Sequence, residues 1–157
     1  KQLQLSVTAT VAIFLQLVLG AIVRHAGTFE GTKAHLLVTW TIVVHLIGAF
    51  LVTAVVVVSV LSLLRATETS LLTKLAYSKI SLLLLQWLLG LGAYVARADV
   101  ANSVQPMPWK IIVTTSHLAV GALLLGVGLV LTLGIARHSL NDESFLRGKN
   151  SLDRQMA

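Results

Sequence analysis

Four long apolar stretches constrain what this chain can fold into. They run from Leu5 to Val23, from His35 to Leu64, from Ile80 to Val95 and from Ile111 to Ala136. A helix needs about 20 residues to cross the hydrocarbon core of a bilayer. The β-branched centre of the second stretch, Val55 to Val58, would favour a strand in water, but a lone strand in lipid leaves its backbone groups unpaired. The pattern therefore predicts four transmembrane helices.

The composition supports a membrane protein and argues against other classes. The chain is 56% hydrophobic and 11% charged, with a mean hydropathy of +0.88, which is far from the usage of soluble domains. The formal charge of +6 comes from basic residues beside the apolar stretches, so lipid headgroups explain it and no nucleic-acid partner is expected. The chain has no cysteine, which excludes disulfides, thiolate metal sites and cysteine-linked haem.

Polar segments divide the chain into two tandem hairpins. Residues 26–33 are predicted to form a short turn, residues 65–79 a polar connector and residues 98–109 a second loop, after which Trp109 and Lys110 form an interfacial anchor. We predict an all-α membrane protein with a four-helix bundle over residues 1–138, built from repeat halves 5–64 and 80–136. Residues 139–157 are predicted to be a polar cytoplasmic tail that can include a short surface helix. Because residue 1 is lysine, we expect the natural chain to begin upstream or to be processed.

The distribution of basic residues predicts the orientation in the membrane. With four spans, eight basic residues lie on the side of the termini and four on the other side. The first set is Lys1, Arg65, Lys74, Lys79, Arg137, Arg147, Lys149 and Arg154; the second is Arg24, Lys33, Arg97 and Lys110. Since loops rich in lysine and arginine stay in the cytoplasm, we expect a multi-pass plasma-membrane protein with both termini cytoplasmic.

An internal repeat relates the two hairpins. The segment Gln16-Leu-Val-Leu-Gly20 recurs as Gln86-Trp-Leu-Leu-Gly90, at an offset of 70 residues. His45 and His117, each followed by leucine and then by a small-residue pair, are offset by 72 residues. Both hairpins enter the membrane from the same side, so the pattern predicts a repeat related by an axis along the membrane normal.

The repeat places one histidine in each hairpin at similar depth. Counted from the outer helix starts, His45 lies roughly 15 Å and His117 roughly 12 Å into the membrane, at the helical rise per residue. Intramembrane ionisable residues are costly and usually functional. Two imidazoles at one depth, with no thiolate and no carboxylate in any span, favour a b-type haem ligated by His45 and His117. Zinc and copper sites and a hydrolytic triad lack the ligands or acids that they need.

Residues around the histidines have both a functional and a structural interpretation. Gly48 and Gly121 share a helix face with the histidines and can leave space for a macrocycle, or can simply permit close helix packing. Gln16 and Gln86 can contact the cofactor or can form interhelical hydrogen bonds. Arg24 is the first candidate partner for a haem propionate, although basic residues at helix ends are also ordinary interface anchors. The remaining histidines, His25, His35 and His138, lie at the membrane edges and are expected to be interfacial or solvated.

Three segments resemble haem A synthases. Residues 14–27, FLQLVLGAIVRHAG, resemble the family segment in which a Gln-x-x-Leu-Gly helix ends in Val-Arg-His-Thr-Gly. Residues 44–49 are similar to the following His-Arg-Leu-x-Ala helix, and residues 116–119 to a Leu-His-Leu-Ala-Leu-Ala helix. The resemblance extends over all four spans, from Leu5 to about His138.

The resemblance implies an enzyme of cytochrome oxidase cofactor biosynthesis. Haem A synthases have eight helices in two homologous halves, each with a pair of haem-ligating histidines. One half oxidises the methyl group of haem O to the formyl group of haem A, and the other carries haem b. The chain is similar to one half, with His45 and His117 as its ligand pair. It departs from the catalytic pattern at Ile42, where an acid is usual, at Leu46, at Ala26 and in lacking the loop cysteines.

Three functional hypotheses follow. The first is a half-size, haem A synthase-like oxidoreductase that acts as a homo-oligomer or with a partner membrane subunit, with haem O and haem A as substrate and product. The second is a b-type membrane cytochrome or oxidase-assembly subunit that performs no methyl oxidation. The third is a structural transmembrane bundle without a cofactor, whose histidines only bridge helices. No catalytic acid or base is assigned, and Glu30, in the first outer loop, is expected to be solvated.

Overall fold

The chain forms four long helices. The computed structural model describes residues 1–26, 32–66, 69–98 and 107–156, with side chains described for 1–26, 36–66, 69–97, 107–141 and 153. The helices are α1 (Gln2–Ala26), α2 (Thr32–Leu64), α3 (Ser70–Ala98) and α4 (Pro108–Met156). All four are long and apolar enough to cross a membrane, and the described residues include no strand. The predicted all-α membrane fold with four spanning helices is confirmed.

The helices close into an up-and-down bundle. Helix α1 packs against α2 and α4, and helix α3 packs against the same two neighbours, so α1 and α3 lie on one diagonal and α2 and α4 on the other. Every packed pair is antiparallel. The loop end of the bundle contains the ends of α1 and α3 and the starts of α2 and α4, and the connector end contains the starts of α1 and α3 and the end of α2. This arrangement is the one expected for two successive hairpins related by an axis through the bundle.

The same faces of the two hairpins are buried. Ile13 and Leu83, at the offset of 70 residues, are both buried, as are Ala26 and Ala96. At the offset of 72 residues, three buried side chains of α2 have buried counterparts on α4: Val52 and Leu124, Ser59 and Leu131, and Leu63 and Ile135. The repeat in the sequence is therefore also a repeat in packing. Large apolar side chains on the outer surface, such as Leu88 and Leu133, are each 69% exposed, which suits contact with lipid.

The predicted connector is too long, because α3 begins at Ser70. Only residues 65–69 separate the end of α2 from this helix. Leu72, Ala76, Lys79 and Leu83 follow one helical face and are all buried, which is the spacing of an amphipathic helix. Placing Lys79 in the polar connector was wrong, since it lies within α3 and its side chain is 0% exposed.

The segment after His138 is helical and continuous with the last span. Helix α4 has 49 residues and extends to Met156, whereas the candidate membrane span within it ends at Asn141. The predicted polar tail therefore lies on the same helix that carries His117, rather than on a separate surface helix.

Polar side chains connect helices at three levels. Near the connector end, Ser6 Oγ and Thr132 Oγ1 are 2.7 Å apart. Trp87 Nε1 on α3 donates to Thr53 Oγ1 on α2 at 2.9 Å, and at the loop end an Arg97 guanidinium nitrogen donates to the carbonyl of Val23 at 3.2 Å. Such bonds satisfy polar groups that would find no water in the hydrocarbon core.

Candidate histidine site in the bundle

The two intramembrane histidines lie on the diagonal helices α2 and α4. Both side chains are half-buried. Helices α2 and α4 do not pack directly against each other in the described part of the chain, and each imidazole lies against the neighbouring helix of its own hairpin. His45 and His117 therefore occupy corresponding positions in the two hairpins.

In the first hairpin, α1 holds the imidazole of α2. Gln16 Nε2 donates to the backbone carbonyl of His45 at 2.7 Å and lies 3.1 Å from His45 Nδ1. A Cβ at Gly20 would lie only 3.2 Å from His45 Cε1, so the ring occupies the space of a missing side chain. Gln16 and Gly20 are four residues apart and share one face of α1. The Gln-x-x-x-Gly motif therefore forms the surface against which the histidine packs, and we call this surface the histidine seat.

The second hairpin repeats this seat. Gln86 Nε2 on α3 lies 3.5 Å from His117 Nε2 on α4, at the long limit of a hydrogen bond. A Cβ at Gly90 would lie 3.1 Å from His117 Cε1. The residue types and spacing match those of the first hairpin, although a different ring nitrogen faces the glutamine.

Gly48 and Gly121 accommodate the glutamines. A Cβ at Gly48 would overlap Gln16 Oε1, and one at Gly121 would lie 2.7 Å from Leu17 Cδ2 and 3.1 Å from Gln86 Nε2. The space beside these glycines, which the sequence suggested for a macrocycle, is occupied by side chains of the neighbouring helices. Both glycines therefore permit the close helix approach that positions each amide.

Several buried polar atoms at the site lack a partner. Among the described residues, Gln16 Oε1, Gln86 Oε1 and His117 Nδ1 are buried and accept or donate no hydrogen bond. Buried polar groups are nearly always satisfied, and unsatisfied ones require an explanation such as a bound ligand. Three such atoms around one imidazole pair are consistent with a ligand site there.

Two imidazoles are a donor set that can hold a haem iron. Haem iron receives four nitrogens from its own macrocycle and needs few further ligands from the protein. His45 and His117 supply two nitrogen donors, so the donor chemistry of this pair suits a haem.

The glutamine amides can select the imidazole tautomer. In the structure the Gln16 amide nitrogen faces His45 Nδ1, which makes Nδ1 an acceptor and leaves the ring proton on Nε2. Rotation of the amide would present Oε1 instead, and this oxygen would accept a proton carried by Nδ1. That second tautomer leaves the Nε2 lone pair available to a metal, as in metal-ligating histidines whose other nitrogen is a donor.

The other predicted residues lie away from the imidazoles or outside the described residues. Arg24 is exposed in the last turn of α1, and in the described part of the chain no contact joins it to either histidine. His25 and His138 are exposed near opposite ends of the bundle. Glu30 lies outside the described residues, and so does the side chain of His35.

Sequence reasoning missed two features of the interior. Gly20 and Gly90 belong to the repeated motif, and their spacing from the glutamines is the signal that could have assigned them to the histidine seat. The second feature is Lys79, which lies two helical turns from Gln86 on the same face of α3. Its charge suggested a membrane boundary, which concealed its position in the core.

No family model, curated protein or solved structure matches the chain.

Proposed function

We propose that this chain is a haem-binding membrane protein, in which His45 and His117 would hold the iron of one b-type haem. The observation that supports the proposal is the repeated seat: in each hairpin a glutamine and a glycine on one helix hold a histidine of the next. A packing role would require neither the repetition nor the placement of both imidazoles on one diagonal of the bundle.

The chain's own residues would position and insulate the haem. His45 and His117 would hold the haem iron, and the amides of Gln16 and Gln86 would orient the two rings. The surrounding apolar helices would exclude water. A haem held by two imidazoles would supply reversible one-electron chemistry rather than oxygen binding.

The reaction that we propose is the conversion of haem O to haem A, as the resemblance to haem A synthases implies. One bundle offers a single imidazole pair among its described residues, whereas methyl oxidation requires both a resident and a substrate haem. The proposed active form is therefore a homo-oligomer or a complex with a partner membrane subunit. The alternative is a b-type cytochrome or oxidase-assembly subunit, which needs only the one pair.

The proposed orientation has both termini in the cytoplasm and the loop end outside the plasma membrane. Because Lys79 and Lys110 are both buried, neither counts toward the charge of its side. Seven basic residues then remain on the side of the termini and three on the loop side, so the bias retains its direction.

The test is an oxidised and a reduced optical spectrum of the detergent-purified protein, with pyridine haemochrome analysis. Wild type should carry one low-spin haem per chain, and His45→Ala and His117→Ala should each lose the low-spin signal. His138→Ala, in an exposed position, is the matched control and should resemble wild type. A wild-type chain without haem after reconstitution would leave the structural bundle as the interpretation.

A second measurement separates the enzyme from the cytochrome. When the chain is co-expressed with a source of haem O, the enzyme should yield a formyl-bearing haem A in the extracted pigments. Unchanged haem O together with a reversible redox spectrum would favour the cytochrome.

A further inference from the structure

Lys79 is a fully buried lysine on the core-facing side of α3. Its side chain is 0% exposed, and its Nζ has no hydrogen-bond partner among the described residues. All six acidic residues of the chain lie outside the four spanning segments, so no carboxylate within the spans can neutralise it. A charged ammonium held this way is costly. The geometry therefore requires either a neutral amine or an amine that gains and loses its proton.

A chain of hydroxyl groups leads from the connector end toward this amine. Ser6, one turn into α1, is 0% exposed, and its Oγ is 2.7 Å from Thr132 Oγ1 on α4. Thr132 Oγ1 is in turn 3.1 Å from Thr10 Oγ1, one turn further along α1. Thr10 Oγ1 also donates to the carbonyl of Ser6 at 2.9 Å, and Thr132 Oγ1 donates to the carbonyl of Gly128 at 2.8 Å. Each hydroxyl can donate and accept, so the three oxygens form a path along which a proton can pass when these hydroxyls rotate.

Gly128 joins the path to Lys79. The position that a Cβ of residue 128 would occupy lies 3.2 Å from Thr10 Oγ1 and 3.8 Å from Lys79 Nζ. Both polar atoms therefore border the space that the missing side chain of residue 128 leaves free, which is the gap at Gly128.

Among the side chains that the structure describes, no other titratable group faces the amine. Helix α1 has none between Gln2 and Val23, and the only one within the described side chains of α2 is His45. On α3 the neighbouring Lys74 and Tyr77 are exposed. On α4 the nearest are His117 and Arg137, eleven and nine residues from Gly128.

We propose that Lys79 is a proton-exchange site inside the bundle, supplied from the connector end through Ser6, Thr132, Thr10 and the gap at Gly128. Protonation adds one positive charge to the Nζ amine, and the proton comes from and returns to the solvent at that end. The site is separate from the imidazole pair, and the inference does not depend on haem binding.

The test is ¹⁵N NMR of the haem-free, full-length protein, with lysine labelled at Nζ and the protein oriented in liposomes. The Nζ resonance distinguishes an ammonium from an amine, and Lys79→Met identifies the signal. With the pH changed only on the connector side, the Lys79 signal should convert between the two forms. A signal that stays in one form, or that follows only the pH on the loop side, would overturn the proposal.

A pair of glycine variants tests the path without removing the lysine. Gly128→Ala places a methyl group in the gap, and proton exchange at Lys79 should slow about tenfold, the effect of losing one net hydrogen bond. Gly126→Ala is the matched control, because a Cβ there meets nothing within 4 Å, and exchange should match wild type. If Gly128→Ala, with unchanged helicity, exchanges as fast as wild type, the path is refuted.

Discussion

Gly20 and Gly90 each lie against a histidine ring. The hydrogen atom that each glycine carries in place of a side chain leaves the space that the ring occupies. Their positions in the repeated motif were visible in the sequence, but the partner that fills the space above them was not, because it comes from another helix. The same holds for Gly48, whose neighbour is a glutamine about 30 residues earlier in the chain. Spacing along one helix predicts which residues share a face, whereas the contacts between faces depend on how helices pack.

Alanine at Gly20 or Gly90 should displace the imidazole above it. The added Cβ would lie 3.2 or 3.1 Å from a histidine Cε1, so the ring or the helix must move, at about 1–3 kcal/mol for such overpacking. We expect a lower thermal unfolding midpoint for each variant, measured by circular dichroism in detergent. Gly126→Ala should keep or raise the midpoint, and equal midpoints for all three variants would refute the assigned contacts.

Removing one glutamine should weaken haem binding without abolishing it. Gln16→Leu deletes the amide that contacts His45 Nδ1, and loss of such a supporting bond typically lowers metal affinity by about 10–100-fold. The measurement is haem titration of the reconstituted protein by absorbance. Gln86→Leu should have a comparable effect, since the repeat assigns it the same role, and unchanged affinity in both variants would contradict the proposed tautomer control.

At the scale of the helix, the number and type of elements could be predicted and their ends could not. The apolar stretches predicted all four spans, because only a helix satisfies backbone groups in lipid. Lys79 and Lys74 suggested that α3 begins at Ile80, yet Leu72, Ala76 and Leu83 place Lys79 on the buried face. The charges predicted that the helix begins after Lys79, whereas the periodicity of the apolar residues predicted a helix that includes it. The structure agrees with the periodicity.

The α2–α3 contact depends on Trp87. Its indole donates to Thr53 Oγ1 at 2.9 Å, and its ring packs against Phe50 with centroids 4.9 Å apart. Trp87→Phe keeps an aromatic ring and removes the donor, so it should destabilise the protein by about 0.6 kcal/mol, the average for hydrogen bonds between membrane helices.

A double-mutant cycle isolates this bond. Thr53→Val removes the acceptor, and the Trp87→Phe, Thr53→Val double variant should cost less than the sum of the single variants. Free energies of unfolding in mixed micelles provide the values. Strict additivity would mean that the bond contributes nothing.

At the scale of the whole molecule, the orientation can be tested with reporter cysteines, since the chain has none of its own. Met107→Cys places a thiol at the loop end, where the native side chain is 51% exposed. Arg65→Cys places one at the connector end, in an exposed position. A membrane-impermeant maleimide should label the first in intact cells and the second only after permeabilisation. The reverse pattern would invert the proposed topology.

The contacts that seat the histidines also determine an order of assembly. Each glutamine meets its histidine across a short span of chain, 29 residues in one hairpin and 31 in the other, whereas the Ser6–Thr132 contact joins residues 126 positions apart. Close partners meet early during synthesis, because a short loop costs less entropy to close than a long one. Each hairpin can therefore insert into the membrane with its imidazole already in place. Docking of α1 against α4 then brings the two prepared halves together as the last step of biogenesis.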